Sequence, residues 1–456
     1  MLKIKLSEIA ALFGQKLGFE AEINSVVTDS RKVDSQSLFV AIKGDNFDGN
    51  DFAAKALESG AAAVLVSRLC DGVDPQKAIV VEDTKRALIK IGGLYRNRFD
   101  IPFVGITGSV GKTTTKEFTA LVLAEKYNVH KNKGNQNNEI GVPNTMFALQ
   151  KEHEICVVEM GMSGLGEIHD LTVEVRPCAA IITSVGVAHI QYLKSRENIL
   201  KAKMEITDGM PDGAPLFVCG DNDLLATVTS DRLKVYRFGI VNPDCDIKAS
   251  RIEQQGTWTK FVIASPWGEY NAAIPLVGHH NVLDALAAFS LGCAMGVEPQ
   301  KAAAALSKYV AVGMRQNAFS HNGMTIVGDC YNCSPDSLKA SVLSLSSYPC
   351  EGRRVLVLAD MLELGPDAEK MHFECGEFIA KQNIDLLIGW GELTRQTING
   401  ADSAGMERCC HYDTKQELTQ QVLKAIRPKD VVWFKASLGM ALDQVVETVL
   451  GKEEKQ

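Results

Sequence analysis

Residues 101–117, with the sequence IPFVGITGSVGKTTTKE, constrain the fold of this chain more than any other stretch. An apolar run leads into a glycine-rich turn, and a helix-like segment follows. A strand that ends in glycines before a helix presents free backbone N–H groups at the positive end of that helix, which suits phosphate. The pattern predicts a phosphate-binding loop in which Lys112 contacts the outer phosphates and Thr113 a Mg²⁺ ion. The alternative is a glycine-rich turn with a solvated lysine.

Strand-like apolar runs alternate with helical segments along most of the chain, which predicts an α/β fold with a parallel sheet covered on both faces. The length of 456 residues predicts about three domains. We expect a small N-terminal α/β domain over 1–84, a central P-loop domain over 85–312 and a C-terminal Rossmann-like domain over 313–456. Polar and apolar residues alternate between glycine turns in 245–277, which predicts antiparallel strands added to the central, mostly parallel sheet.

Charge and cysteine usage exclude several classes of protein. A net charge of −8 argues against a nucleic-acid partner, because phosphate backbones attract basic faces. The chain has neither a signal-peptide pattern nor a long uninterrupted apolar run, so we expect no membrane insertion. The 12 cysteines are scattered, which favours reduced thiols in a cytoplasm. Cys330 and Cys333 form a C-x-x-C pair that could serve redox or zinc chemistry, but no second pair has metal-site spacing.

Polar residues follow the strand-like runs of the central segment. Glu159 ends the run CVVE, where a carboxylate could complete the Mg²⁺ sphere begun by Thr113. His189 follows the next run, and Lys203 lies in the helical segment ILKAKMEI. Taken singly, these residues have ordinary alternatives: a capping carboxylate, a satisfied structural histidine and a solvated lysine.

The phosphate loop departs from the usual spacing, because Ile106 stands where the first glycine is expected. In this form, TGSVGKTT resembles the ATP loop of the Mur ligases and the related folylpolyglutamate synthetases, which join an acid to an amine through an acyl phosphate. The resemblance implies that the loop binds ATP through Thr107, Gly108, Ser109, Gly111, Lys112, Thr113 and Thr114.

The same resemblance implies a metal site with two Mg²⁺ ions. Glu159 and His189 match metal ligands of the family, beside Thr113. Lys203, in A-K-x-x-I, matches the lysine that the family modifies with CO₂. A carbamate converts this cation into an oxygen donor, which suits a second Mg²⁺. The resemblance thus gives Lys112, His189 and Lys203 catalytic roles.

Two asparagine-containing motifs also match the family. The stretch GNQNNEIGVP resembles a segment that lines the substrate cleft, which points to Asn135 and Asn138, although Asn-Gly clusters also simply form turns. The stretch GHHNVLDAL resembles a helix start at which His280 and Asn281 would face the adenine. Asp284 stands where the family commonly has a second asparagine. A capping asparagine beside a buried histidine is the alternative.

The last third of the chain carries three further matches. Arg315 resembles the arginine of the family's P-G-R hinge and could reach the transferring phosphate when the domains close, as a nucleotide-binding and catalytic residue. Asp329 and Asn332 match a D-x-Y-N signature, which implies nucleotide and substrate contacts. Lys435 matches the lysine of K-G-S-R and could bind phosphate, while Leu438 replaces the arginine of that motif.

The N-terminal stretches TDSR, FVAIKG and FDGNDF resemble the uridine-nucleotide-binding module of the two later Mur ligases. The stretch ADMLELG resembles the ligase that adds D-alanyl-D-alanine to UDP-N-acetylmuramoyl-tripeptide in peptidoglycan synthesis, and the D-N-P-R of the diaminopimelate-adding branch is absent from the sequence. UDP-N-acetylmuramoyl-tripeptide and D-alanyl-D-alanine are therefore the expected partners, and we expect the enzyme to be a monomer. A diamino-acid-adding ligase and a non-catalytic P-loop ATP-binding regulator are the alternatives. The predicted nucleotide-sugar residues are Thr28, Asp29, Ser30, Arg31, Lys43 and Gly44.

Overall fold

The computed structural model describes residues 1–44 and 47–451 of the chain, so residues 452–456 of our third domain lie outside the described part. Within the described residues, the strands form a short antiparallel pair and three larger sheets. No helix in this part of the chain is both long enough and apolar enough to span a membrane. All 12 cysteines are described and are free thiols.

The first unit is a small parallel sheet with the strand order β3-β4-β5-β6, next to the antiparallel pair β1-β2. Strands β4 and β5 are buried along their whole length, because helices and loops cover both faces of the sheet. The elements are β1 (Ile4–Lys5), α1 (Leu6–Ala11), β2 (Glu22–Ile23), β3 (Ser25–Val27), β4 (Ser37–Val40), α2 (Ala53–Glu58), β5 (Ala63–Val66) and β6 (Ala78–Val80). The next helix, α3 (Thr84–Arg96), packs on the central unit.

The central unit holds the largest sheet, with the order β15-β14-β13-β12-β11-β10-β7-β9-β8. Strands β8 to β13 are parallel, and β14 and β15 continue the sheet in antiparallel pairing. The elements are β7 (Phe103–Thr107), α4 (Lys112–Leu123), β8 (Val129–Lys131), α5 (Gly141–Phe147), β9 (Ile155–Glu159), α6 (Glu167–Val175), β10 (Ala179–Ile182), α7 (Ile190–Leu193), α8 (Arg196–Met204), β11 (Pro215–Cys219), β12 (Lys234–Gly239), β13 (Ile247–Gln255), β14 (Trp258–Ser265), β15 (Gly268–Ile274), α9 (His279–Ala294) and α10 (Pro299–Ala305).

The third unit has the strand order β16-β17-β21-β18-β19-β20, parallel except for β16. The predicted α/β fold class, with an antiparallel addition to a mostly parallel central sheet, is confirmed. The elements are β16 (Asn317–His321), β17 (Met324–Asp329), α11 (Pro335–Ser347), β18 (Arg354–Leu358), α12 (Ala368–Ala380), β19 (Leu386–Trp390), α13 (Thr394–Ser403), β20 (Cys409–Tyr412), α14 (Lys415–Ala425), β21 (Val431–Lys435) and α15 (Asp443–Val449).

The topology brings chemically useful strand ends together. In the central sheet β7 lies between β9 and β10, so the phosphate loop, Glu159 and the loop after β10 share one carboxyl edge. In the third sheet β17 and β21 are neighbours, and their last residues, Asp329 and Lys435, are register partners. Ligands of open α/β sheets bind at such carboxyl edges.

Candidate active site

A cleft of about 430 Å³ lies where the carboxyl edges of the central and third sheets meet. Both units contribute to it, since the phosphate loop forms one side and the ends of β17 and β21 form the other. The sequence-predicted residues that line it are Ser109, Gly111, Lys112, Thr113, Thr114, Asn138, Glu159, His189, His280, Asn281, Arg315, Asp329, Asn332 and Lys435.

The remaining predicted residues lie outside this lining. Thr107 and Gly108 are buried at the end of β7, beneath the loop. Lys203 is buried in α8. Asn135 is exposed in the loop after β8.

The predicted nucleotide-sugar residues form a separate group in the first unit. A hydrogen bond from the Arg31 guanidinium lowers the pKa of Asp29 to about 2, and the two side chains pair at 2.9 Å. The Arg31 side chain is 87% exposed, so it remains accessible to an anionic ligand. The six residues are Thr28, Asp29, Ser30, Arg31, Lys43 and Gly44.

The phosphate loop is held in shape by its glycines and by its lysine. Gly111 caps the start of α4 and has φ of 89°, a backbone conformation that residues other than glycine rarely adopt. Lys112 Nζ donates to the Gly108 carbonyl oxygen at 2.7 Å, so its ammonium lies over the loop. Burial lowers the pKa of Lys112, and nearby Arg315 lowers it further, against an opposing contribution from Glu159.

Glu159 and Thr113 place oxygen donors side by side at the start of α4. Thr113 Oγ1 donates to the Glu159 carboxylate at 3.0 Å, and Asn137 Nδ2 donates to Glu159 Oε1 at 2.7 Å. Glu159 is 1% exposed, and the Asn132 side chain holds its backbone N–H at 2.7 Å. A hydroxyl and a buried carboxylate that converge in this way fit the oxygen preference of Mg²⁺.

Lys116, which sequence reasoning missed, supplies the buried positive charge beside this carboxylate. Its side chain is fully buried, with Nζ 3.5 Å from Glu159 Oε2 and 3.4 Å from Glu117 Oε1. In sequence, Lys116 is one more polar residue in the run TTTKE, which is typical of a solvated helix face. Asn137 was missed as well, although it lies between the two asparagines that we selected.

Lys203 is an uncompensated buried amine. It is 2% exposed, and within residues 1–44 and 47–451 its ammonium has no hydrogen-bond or ion-pair partner. Burial, with a smaller contribution from Lys112, lowers the pKa of Lys203 well below its ordinary range. This environment favours the neutral amine of Lys203 over the ammonium, relative to an exposed lysine.

His189 lies in the left-handed region, with φ of 62°, directly before α7. Its Nδ1 is 2.8 Å from Oε2 of Glu363, a third-unit residue that also has positive φ and that sequence reasoning missed as a site residue. Burial and the charge of Lys112 lower the pKa of His189, while Glu363 partly offsets them. The imidazole is therefore neutral near pH 7 and able to act as a ligand or a proton acceptor.

The far end of the cleft carries an ordered polar network. Lys435 Nζ lies 2.9 Å from Asp329 Oδ2, and Ser341 donates to the same oxygen at 2.7 Å. Gln316, which was not predicted, accepts from Asn281 Nδ2 at 2.9 Å. The residue that caps the start of α9 is Gly278, so the alternative that Asn281 is the capping residue is wrong.

Arg315 and Gln316, at the start of the third unit, each contact another residue of the cleft. The Arg315 guanidinium lies 3.7 Å from the centre of the Tyr331 ring, a cation–π contact that holds the arginine at the cleft. Gln316 lies 2.7 Å from His280 Nε2. These contacts join the start of α9 to the start of the third unit.

Mur ligase domains match three segments of this chain. The Mur ligase family catalytic domain matches residues 22–90, the Mur ligase middle domain matches residues 106–292, and the Mur ligase glutamate ligase domain matches residues 314–438. The UDP-N-acetylmuramoyl-tripeptide--D-alanyl-D-alanine ligase of Bacillus subtilis (strain 168) is 39% identical over 431 residues, which cover 94% of this chain and 93% of that protein. The chain belongs to the Mur ligase family. It is therefore a ligase.

Solved structures resemble this Mur ligase over nearly its whole length. MurF from Acinetobacter baumannii has a TM-score of 0.89 and 26% identity, with 98% of each chain covered. The MurF ligase of Thermotoga maritima, solved in complex with ADP, has a TM-score of 0.84 and 27% identity, with 94% of this chain and 97% of that chain covered. The likeness extends through all three units.

A direct contact joins the third unit of this Mur ligase to the loop that carries His189. Asp336 Oδ2 accepts from the Val187 backbone N–H at 3.0 Å. A Cβ added at Gly186 would lie 2.1 Å from the same oxygen, so this glycine permits the close approach. The contact therefore ties the third unit to the central unit beside His189.

Replacing Gly186 by alanine is expected to lower ligase turnover by about tenfold or less, because the added Cβ displaces the exposed Asp336 carboxylate and breaks its hydrogen bond to Val187. The double variant Gly186→Ala/Asp336→Ala should lose no more turnover than Asp336→Ala alone, since the added methyl group then meets no carboxylate. Small-angle scattering with nucleotide bound should show a larger radius of gyration for the single variant. Wild-type turnover and dimensions in Gly186→Ala would contradict this role of the glycine.

Proposed function

We propose that this ligase joins D-alanyl-D-alanine to UDP-N-acetylmuramoyl-tripeptide, with ATP as the energy source, and so makes a peptidoglycan precursor. The observation that carries the proposal is the near full-length similarity to a curated ligase of that name, over a chain whose cleft joins a phosphate loop to the third unit. The Thermotoga maritima structure was solved in complex with ADP, which supports an adenine nucleotide as a ligand of this chain.

The proposed reaction has two steps. A carboxylate oxygen of the tripeptide attacks the γ-phosphorus of ATP, the bond to the β–γ bridging oxygen breaks, and ADP leaves. The neutral amine of the dipeptide then attacks the carbonyl carbon of the acyl phosphate. Inorganic phosphate leaves with the former carboxylate oxygen, and the nitrogen loses a proton to form the amide. Without the first step, the leaving group would be oxide, which is too poor to be displaced.

The chain's own residues would position and neutralise the phosphates. The residues at the start of α4 line the cleft, and the N–H groups of such a first turn are available to phosphate. Lys112 lies over the loop, where its ammonium would contact the outer phosphates. Arg315 lines the cleft from the third unit, so closure would bring a second cation to the transferring group. Closure would also exclude water from the acyl phosphate.

We infer that Thr113 and Glu159 hold one Mg²⁺ ion, and that His189 and a carbamate on Lys203 hold a second. Bound Mg²⁺ would neutralise charge on the phosphate oxygens. The hydroxyl and carboxylate, 3.0 Å apart, fit the first ion. For the second, an unmodified lysine is unsuitable, whereas a neutral buried amine can attack CO₂ and lose a proton to give an anionic oxygen donor.

We assign the three units, 1–84, 85–312 and 313–456, to the nucleotide sugar, to ATP and to the incoming amine. The exposed Arg31 in the first unit supports the first assignment. We also propose that the enzyme acts as a monomer. The free cysteines favour a reducing cytoplasm.

Purified protein should convert UDP-N-acetylmuramoyl-tripeptide, D-alanyl-D-alanine and ATP with Mg²⁺ into a pentapeptide product, detected by mass, with release of ADP and phosphate. Diaminopimelate and lysine should not replace the dipeptide. Incorporation of a single diamino acid would instead support the diamino-acid-adding ligase. If the protein binds nucleotide but releases no phosphate when both co-substrates are present, the result would support a regulator.

Glu159→Gln is expected to raise the Mg²⁺ concentration needed for half-maximal nucleotide binding by about tenfold or more. Glutamine keeps the shape of the side chain but removes its negative charge. Calorimetric titration of ADP at several Mg²⁺ concentrations measures this shift without relying on turnover. Thermal unfolding checks the fold, since Lys116 loses one of its two carboxylate neighbours. An unchanged Mg²⁺ dependence would remove Glu159 from the metal site.

A further inference from the structure

Asp284 is a buried carboxyl group pressed against the phosphate loop. It lies in the second turn of α9, is 6% exposed and lines the cleft together with the loop residues. A Cβ added at Gly111 would lie 2.3 Å from Asp284 Oδ1, so the carboxyl group contacts the loop backbone at the residue that caps α4. Thr115 Oγ1, in the first turn of α4, donates to the same oxygen at 3.0 Å.

Few charges face this carboxyl group. Thr115 of α4 and Gly111 of the loop are uncharged, and the titratable side chain in electrostatic contact with Asp284 is Tyr309, after α10. Burial raises the pKa of Tyr309 above its ordinary value, so this neighbour stays neutral. Within the described ranges 1–44 and 47–451, Asp284 forms no ion pair with a lysine, an arginine or a histidine.

His280 lies one turn before Asp284 on α9, and burial lowers its pKa to about 4, so it carries no charge near neutral pH. Burial without a compensating cation raises the pKa of Asp284 to about 8, against the opposing hydrogen bond from Thr115. The group is therefore protonated at neutral pH and ionises as the pH rises through about 8.

We propose that Asp284 is a positioning residue that must be protonated to hold the phosphate loop in its nucleotide-binding form, so that its ionisation in alkaline solution weakens the binding of nucleoside polyphosphates. The inference rests on the ATP site proposed above. Protonated, the group is a neutral contact that supports Gly111 and Thr115. Ionised, it places a negative charge at the positive end of α4, where the phosphates of the nucleotide must lie.

The size of the effect follows from the protonated fraction. With ionisation centred near pH 8, about nine-tenths of the molecules are protonated at pH 7 and about one-tenth at pH 9. If the protonated form alone binds well, the apparent Kd for Mg-ADP rises by about tenfold between these two pH values. The terminal phosphate of Mg-ADP titrates below this interval, so the charge of the ligand changes little between pH 7 and pH 9.

The test is calorimetric titration of the full chain with Mg-ADP at pH 7, 8 and 9, for the wild type and for Asp284→Asn. Asparagine keeps the shape and the acceptor oxygen but cannot ionise, so whatever its affinity at pH 7, the variant should have the same Kd at pH 9. The wild type should lose about tenfold over the same interval. A loss of the same size in both proteins would assign the effect to another group, such as Lys112, and would overturn the inference.

A flat profile in the wild type would also overturn it, while leaving the ATP site intact. Absence of nucleotide binding at every pH would instead reject the proposed function, so the two failures are distinguishable. If Asp284→Asn does not fold, infrared spectroscopy of the wild type gives a second readout. The C=O band of a protonated buried carboxyl should disappear as the pH rises from 7 to 9, and its absence at pH 7 would reject the protonated state.

Discussion

Lys112→Met is expected to lower ligase turnover by about 10²–10³-fold, the loss typical of removing one group that stabilises transition-state charge in an excluded site. Methionine keeps the length and apolar volume of the side chain but removes the ammonium that lies over the loop, 2.7 Å from the Gly108 carbonyl. Phosphate release in a single turnover, with all co-substrates present, measures the effect on the transfer step.

The matched control for Lys112 is Lys126→Met, which removes an exposed ammonium beyond the other end of α4 and should retain turnover near that of the wild type. Circular dichroism and thermal unfolding should be unchanged in both variants. Turnover of Lys112→Met within tenfold of the wild type would show that the loop lysine does not carry the transferring phosphate.

The second large effect is expected at Lys203. Lys203→Met should lower turnover by at least about 10²-fold, because it removes the amine that we propose is converted to a metal-binding carbamate. The fold should tolerate the change, since methionine fits a buried site and the amine has no hydrogen-bond or ion-pair partner among the described residues.

Lys201, two residues earlier on the same helix, is exposed and provides a matched control. Protein prepared in ¹³C-labelled bicarbonate should give a carbamate carbon signal in the wild type and in Lys201→Met, and no such signal in Lys203→Met. Because formation of the carbamate consumes CO₂, thorough removal of CO₂ should also lower wild-type turnover. A labelled signal that survives in Lys203→Met would place the modification elsewhere.

Local patterns were enough to predict the strand, loop and helix around Lys112. The reason is that hydrophobic runs set strand positions, glycines set the turn, and the first turn of a helix always exposes N–H groups. The same reasoning placed Glu159 at a strand end, because parallel strands that precede helices bring their carboxyl ends to one edge.

Choosing the functional residue among neighbouring residues of the same type was less reliable. Sequence reasoning chose Asn135 and Asn138, yet Asn137 donates to Glu159 and Asn135 is exposed. A cluster of asparagines in a turn gives no sign of which side chain points inward, since that depends on the path of the loop over the sheet. Lys116 was missed for a related reason, because burial on every side of α4 is set by the helices packed around it.

The sequence by itself determined the order of strands and helices and the chemistry of the phosphate loop, because both depend on residues close together in the chain. Tertiary structure alone decided which distant groups meet: Asp284 against Gly111, Glu363 beside His189, and Lys203 within electrostatic reach of Lys112. The direction of the pKa shifts of Asp284, His189 and Lys203 was decided there as well. Charge depends on solvent exclusion and on neighbours from other segments, and neither is encoded in a local pattern.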